Sequence, residues 1–192
     1  MCKIKIAGRT LLGFFAIAAA LECYGADYEV VKDNSSEINF YKEKRKSAAL
    51  YLKKAVSYVE EINRMKSLPE GPALPAQSRK MNALVDEGEQ FGDIFSPLSH
   101  CRLAGHNARM FWSVMTGNIA TSTPEEGFEE FEEQVRGCKG QLVKEPEAIT
   151  TIRTSVDKGI PFKGCLEVIQ LRREGESDFR EWTCPTSVLP KK

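Results

Sequence analysis

The sequence predicts a mainly α fold with a small β part, an irregular four-helix bundle followed by a C-terminal disulfide-closed β-hairpin. Three observations carry this expectation. Four stretches repeat apolar residues every three or four positions, the period of a helix with one buried face. Proline, glycine and helix-capping residues separate these stretches. Cysteines at 165 and 184 flank two β-competent runs joined by a turn-forming segment, Glu174-Gly175-Glu176-Ser177.

Residues 1–25 read as a secretory signal peptide, and 26–192 as a single helical domain ending in a hairpin over 164–185. Lys3, Lys5 and Arg9 form a basic start, and Leu11 to Leu21 an apolar run of 11 residues. About 20 apolar residues are needed to span a bilayer, so the run is too short for a span and suits export. A small residue, Gly25, stands where signal peptidase cuts; lipidation at Cys23 is disfavoured by the preceding Glu22, and an uncleaved N-terminal anchor helix is the remaining alternative.

The full chain of 192 residues carries 27 bases and 27 acids, net zero. Cutting after Gly25 removes three bases and one acid (Glu22), which leaves 24 and 26, or net −2 over about 167 residues. No basic excess is left for a general nucleic-acid binder, so no nucleic-acid partner is expected. A hydrophobic fraction of 42% with 28% charged residues is globular composition, neither disordered nor fibrous.

Tyr28–Val31 is a short extended candidate that adds to the hairpin. Ser35 or Ser36 can then cap a helix over 37–67. Ala48, Leu52, Ala55, Val59 and Ile62 form its packing stripe, with Tyr51, Tyr58 and Met65 beside it. The basic run Lys42, Lys44, Arg45 and Lys46 reads as a solvated helix start. Pro69, Pro72 and Pro75 predict an extended connection over 67–77. A second helix is expected over 77–92 with Met81, Leu84 and Val85 inside and Gly92 at its end. Ser96-Pro97 reads as a cap and first residue of a third helix over 97–116, stopping at Gly117-Asn118. Thr123-Pro124-Glu125-Glu126 repeats that start signal for a fourth helix over 124–139, whose Phe128, Phe131, Val135 and Cys138 are spaced 3, 4 and 3. Residues 147–156 fit either a short helix or a β-branched strand.

Four cysteines stay in the exported chain, Cys101, Cys138, Cys165 and Cys184, and an even number in an oxidising compartment reads as two disulfides. A two-residue turn at Glu174-Gly175 places Cys165 opposite Cys184, at a separation a disulfide can span, and is favoured over a four-residue turn, which would shift the register by two and place Glu167 there. Cys101–Cys138 follows by elimination and joins the third and fourth helices.

Candidate chemistry is sparse. Residues 125–133 read EEGFEEFEE, and Glu125, Glu126, Glu129, Glu130, Glu132 and Glu133 make an acidic patch suited to a basic partner surface. His100-Cys101 does not make a nucleophilic dyad, because neighbours on a helix point about 100° apart. His100 and His106 share no helix face, and no metal and no cofactor are expected. Arg102, His106 and Arg109 lie on one side of the third helix; they read as a polar face paired with glutamates of the fourth, rather than as an anion site. Trp112 reads as core. Trp182 is expected to pack the hairpin onto the helices; exposed, it would instead anchor an interface. Asn34-Ser35-Ser36 matches a glycosylation sequon.

The function expected from this pattern is an exported, non-enzymatic periplasmic binding or inhibitor protein, in a Gram-negative source, or a secreted one. Its partner would be another protein, a toxin or enzyme, and its specific form an immunity protein neutralising a secreted effector toxin. The alternatives are a secreted effector or hydrolase with an unrecognised site, and a subunit of an envelope assembly. No stable membrane span is expected after signal cleavage.

Overall fold

The computed structural model describes residues 28–65, 67–155, 159–168 and 179–190; the signal region and the predicted Glu174-Gly175 turn lie outside them. The elements run β1 (Glu29–Asp33), α1 (Ser35–Asn63), α2 (Ala73–Gly88), α3 (Ser99–Met115), α4 (Pro124–Val143), β2 (Ile149–Ser155), β3 (Leu166–Glu167) and β4 (Phe179–Pro185). This is the mainly helical fold that the sequence predicts, four helices and a small antiparallel sheet. The chain divides into two compact units. One is helical, Asn34–Ala148; the other is built from the segment up to Asp33 and from Ile149 onward.

The helical unit packs around the predicted stripe of α1. Ala48, Leu52, Ala55, Val59 and Ile62 are buried, together with Met81 and Leu84 of α2, Ala104, Ala108, Phe111 and Trp112 of α3, and Phe131 and Val135 of α4. Cys101, near the start of α3, and Cys138 of α4 form a disulfide between the two helices, with a Cα separation of 4.6 Å and no exposed surface on either residue. The Trp112 indole N–H donates to the Ser78 hydroxyl at 2.9 Å, so its one polar group is satisfied inside the core.

Several helix ends differ from the sequence expectation, each for a local reason. α1 starts at Ser35, with Asn34 rather than a serine at its N-cap and no side-chain cap bond. The Asn34 amide instead donates to the Glu147 carbonyl at 2.8 Å and joins the two ends of the helical unit. That amide is 9% exposed, so the sequon is not presented for modification in the folded state. α2 begins at Ala73, inside the stretch expected to be extended. Pro75 falls in its first turn, where the N–H has no helical partner to lose. α2 passes into a 3₁₀ turn, Glu89–Phe91, and ends at Gly92, whose φ of +88° suits glycine. Ser96 does not cap α3. Its hydroxyl donates to the Phe91 carbonyl at 2.6 Å, and α3 starts three residues later, behind Leu98. The far end of α3 closes as expected at Gly117 (φ +72°): its N–H donates to the Val114 carbonyl, and Asn118 N–H to Ser113, the paired bonds of a glycine-terminated helix.

α4 opens with the predicted capping box. The Glu126 N–H donates to the Thr123 hydroxyl, and the Thr123 N–H to the Glu126 carboxylate at 2.8 Å, an arrangement contributing about 1 kcal/mol. α4 continues past 139 to Val143 because α1 supplies donors for its last carbonyls. Tyr41 Oη donates to Gln141 O at 2.9 Å and Arg45 Nε to Leu142 O at 2.7 Å. Arg45, read as part of a solvated run, therefore has a structural task.

The sheet order is β1-β2-β4-β3. The segment left open between helix and strand is β2, placed centrally, and the N-terminal strand pairs with it rather than with the hairpin. Leu166 faces Thr183 and Glu167 faces Trp182, the register expected from the cysteines, and Cys165 is bridged to Cys184. Trp182 is 3% exposed, which excludes it as an exposed anchor; it packs in the sheet's own core with Ile152, Cys165 and Cys184 and donates to Thr154 Oγ1 at 3.0 Å.

Candidate functional site

The acidic patch forms one side of α4. The capping box starts the helix, and the phenylalanines fix its rotation. Phe131, Val135 and Cys138 are buried, and Phe128 packs on Phe111 with ring centroids 5.7 Å apart. Gly127 lies against the α3 backbone: a Cβ there would sit 3.4 Å from Phe111 Cα. With this face inward, Glu125, Glu126, Glu129, Glu130, Glu132 and Glu133 are all exposed. Asn107 of α3 donates its amide to the Glu130 carbonyl at 3.2 Å and pins the helix backbone beneath the patch.

Four of the six, Glu126, Glu129, Glu130 and Glu133, surround one open concavity of about 530 Å³, completed by Thr121, Ser122 and Arg136. Glu125 and Glu132 lie outside it. The spacing 126, 129, 130, 133 is the i, i+3, i+4, i+7 ridge of a helix, so these carboxylates sit close and repel. Acids in the first turn of a helix are favoured by its dipole, which accounts for Glu125 and Glu126 but not for the charges further along.

The expected pairing of Arg102, His106 and Arg109 with α4 is not what forms. Arg102 Nη2 lies 2.8 Å and His106 Nε2 3.3 Å from Glu89 Oε1, in the 3₁₀ turn that follows α2. Arg109 is exposed. The reason is rotational. Cys101, Ala104, Ala108 and Phe111 are buried, which turns the 102–106 side toward the end of α2. The Arg102 guanidinium, helped by His106, holds the Glu89 carboxyl below the usual carboxylate value. A group whose folded value is depressed stabilises above its unfolded value, and that contribution is lost as pH falls through the folded one. Glu89→Gln is therefore expected to lower the thermal midpoint slightly at neutral pH, where the contribution is present, and to converge on the parent in acid, so that its acid limb is flatter. The effect is modest because the carboxylate is solvated. Acid limbs that superimpose would remove the role given to Glu89.

His100 and Cys101 make no dyad. Cys101 is bridged, and His100 Nδ1 is 2.8 Å from Gln134 Oε1. The His100 ring lies against Gly137 of α4, where a Cβ would come 2.5 Å from it. Among the described residues no group of three or more His, Cys, Asp or Glu is placed to hold a metal ion. No helix there is long and apolar enough to cross a membrane.

Two surface features lie outside the sequence reading. Ile94 and Phe95 stand exposed between α2 and α3, and an apolar groove runs beside Leu52 and Val56. The tip falls between two helices, outside any helical period, and the groove needs Lys139 of α4 beside the Leu52–Val56 side of α1, a pairing between elements far apart in the chain.

Comparison with known proteins finds no matching family, curated protein or solved structure.

Proposed function

We propose that the chain is an exported, non-enzymatic binding protein of the bacterial periplasm, and that the acidic side of α4 holds a basic surface of a partner protein. The specific form of this reading is an immunity protein that neutralises a secreted effector toxin. The observation that carries it is the convergence of Glu126, Glu129, Glu130 and Glu133 on one open concavity, flanked by Glu125 and Glu132. Crowded like charges cost a helix a few tenths of a kcal/mol for each pair, a cost a cationic partner would offset. Two disulfides within the folded chain are compatible with a location outside the reducing cytoplasm.

The test separates binding from folding. Glu129→Gln, Glu130→Gln and Glu133→Gln together leave the capping residues untouched. The triple variant is expected to melt at the same temperature as the parent or slightly higher. It is also expected to lose the periplasmic protein that cross-links to the parent through α4, and to lose protection in toxin co-expression. A variant that still captures that protein and still protects would overturn the acidic-face reading.

A further inference from the structure

An exposed apolar tip that carries an acid and an apolar groove with two lysines on its rim lie on the same helical unit. The tip is Asp93-Ile94-Phe95, between α2 and α3. Ile94 is 61% and Phe95 86% exposed, an unusual position for an aromatic side chain in a folded chain. The tip is held rigidly. Phe95 N–H donates to Asp93 Oδ1 at 2.9 Å, Ser96 N–H to Asp93 O at 3.2 Å, and the Ser96 hydroxyl to Phe91 O. Gly92, at φ +88°, turns the chain into it. A tip already held in one shape loses little conformational entropy on docking.

The groove holds about 320 Å³ and is lined by Leu52 and Val56 of α1, with Lys53 and Ser57 beside them, Glu60 further along, and Lys139 of α4. Its floor is apolar, and its two lysines are exposed. A volume of this size accommodates one aromatic and part of one aliphatic side chain. The two lysines outnumber the single glutamate on its rim, so the groove favours an apolar group that arrives beside an acid. The tip presents that combination, Phe95 and Ile94 beside Asp93.

We propose that a second copy of this chain fills the groove, Phe95 and Ile94 of one copy lying on Leu52 and Val56 of the other, with Asp93 facing Lys53 and Lys139. One such contact is smaller than a standard interface, so the association is weak, and a twofold pair doubles it by reciprocal insertion. This inference uses none of the α4 glutamates and stands apart from the proposed function.

Sedimentation equilibrium on the disulfide-bonded chain tests it. The parent is expected to gain mass toward a dimer as concentration rises, and Phe95→Ser, at an exposed position, to remain monomeric. Lys53→Glu with Lys139→Glu is expected to weaken association roughly tenfold, as for two reversed rim charges. Asp93→Asn, which keeps the oxygen that accepts from Phe95 N–H, should weaken association of the parent. In the double-glutamate background it should strengthen association, a reversal of sign that a general folding effect would not produce. A parent that stays monomeric to millimolar concentration, or a Phe95→Ser chain that associates as the parent does, overturns the proposal. An unchanged constant in the double-glutamate chain, or no reversal of sign, overturns the groove as the docking site.

Discussion

Gly105→Ala is expected to destabilise the helical unit by about 3 kcal/mol, lowering its thermal midpoint by roughly 10–15 °C. Helix propensity argues the other way, because alanine is better than glycine inside a helix by up to about 1 kcal/mol. The steric term wins. The Tyr51 hydroxyl reaches from α1 to the contact between α2 and α3 and donates to the Leu84 carbonyl at 2.7 Å. A Cβ on Gly105 would fall well inside van der Waals contact of that hydroxyl and 2.7 Å from the Leu84 oxygen. On the other side, a Cβ on Gly88 would lie 2.9 Å from the hydroxyl and 3.3 Å from the Arg102 carbonyl. Three helices thus meet around one phenol, and neither helix backbone is free to retreat. Burial, with Glu87 and Glu89 nearby, pushes ionisation of this phenol well above its usual value, so the bond to Leu84 holds at any ordinary pH.

Two comparisons sharpen this expectation. Gly140→Ala, in α4 with nothing within 4 Å of the new methyl, should stabilise by up to about 1 kcal/mol. Tyr51→Phe should destabilise the parent by about 1 kcal/mol yet recover part of the loss in the Gly105→Ala background, because it removes the clashing oxygen. Chemical denaturation of the parent, the three single variants and the Gly105→Ala/Tyr51→Phe double variant measures each effect and the coupling between the last two. A Gly105→Ala chain as stable as Gly140→Ala would show that Tyr51 is not locked at this crossing.

The second large effect is loss of the sheet unit on removal of Cys165–Cys184. Among the described residues the buried apolar core of that unit is Ile152, Trp182 and the two bridged cysteines themselves, with Tyr28, Phe162 and Leu189 partly buried against it. Closing 19 residues is worth about 3 kcal/mol on the chain-entropy estimate. So few buried side chains do not replace that amount, because a small core leaves little surplus over conformational entropy. Cys165→Ala with Cys184→Ala is expected to expose Trp182 to solvent at room temperature, a red shift of its fluorescence in a Trp112→Phe background. Cys101–Cys138 closes 37 residues and is worth about 4 kcal/mol, but it sits in a much larger core. Its removal should lower the helical melting transition without unfolding the unit at room temperature. Trp182 fluorescence unchanged by the first pair of substitutions would contradict the account of the sheet core.

The helices, the bridges and the hairpin register were legible because each has a local or arithmetic signal. The stripe Ala48–Ile62, the Thr123–Glu126 box and Gly117 act over one or two turns. The cysteine register follows from counting residues either side of Glu174-Gly175. The errors fall where a distant residue competes with a local signal. Ser96 has the residue type of a cap but bonds to Phe91, and Asn34 serves Glu147 instead of leaving the start of α1 to a serine. Arg102 and His106 sit on the expected side of α3, yet the acid they meet belongs to the turn after α2.

By itself, then, the sequence determined that there are four helices, that the cysteines suit two bridges and that one side of α4 is acidic, since periodicity, capping and residue counts are properties of neighbours along the chain. Only the tertiary structure decided that β2 is a central strand, that β1 joins β2, that Tyr51 locks three helices at Gly88 and Gly105, and that four of six glutamates share one concavity. These outcomes depend on the angle and rotation at which elements meet. Packing volumes and long-range hydrogen bonds set those quantities, and no window of adjacent residues encodes them.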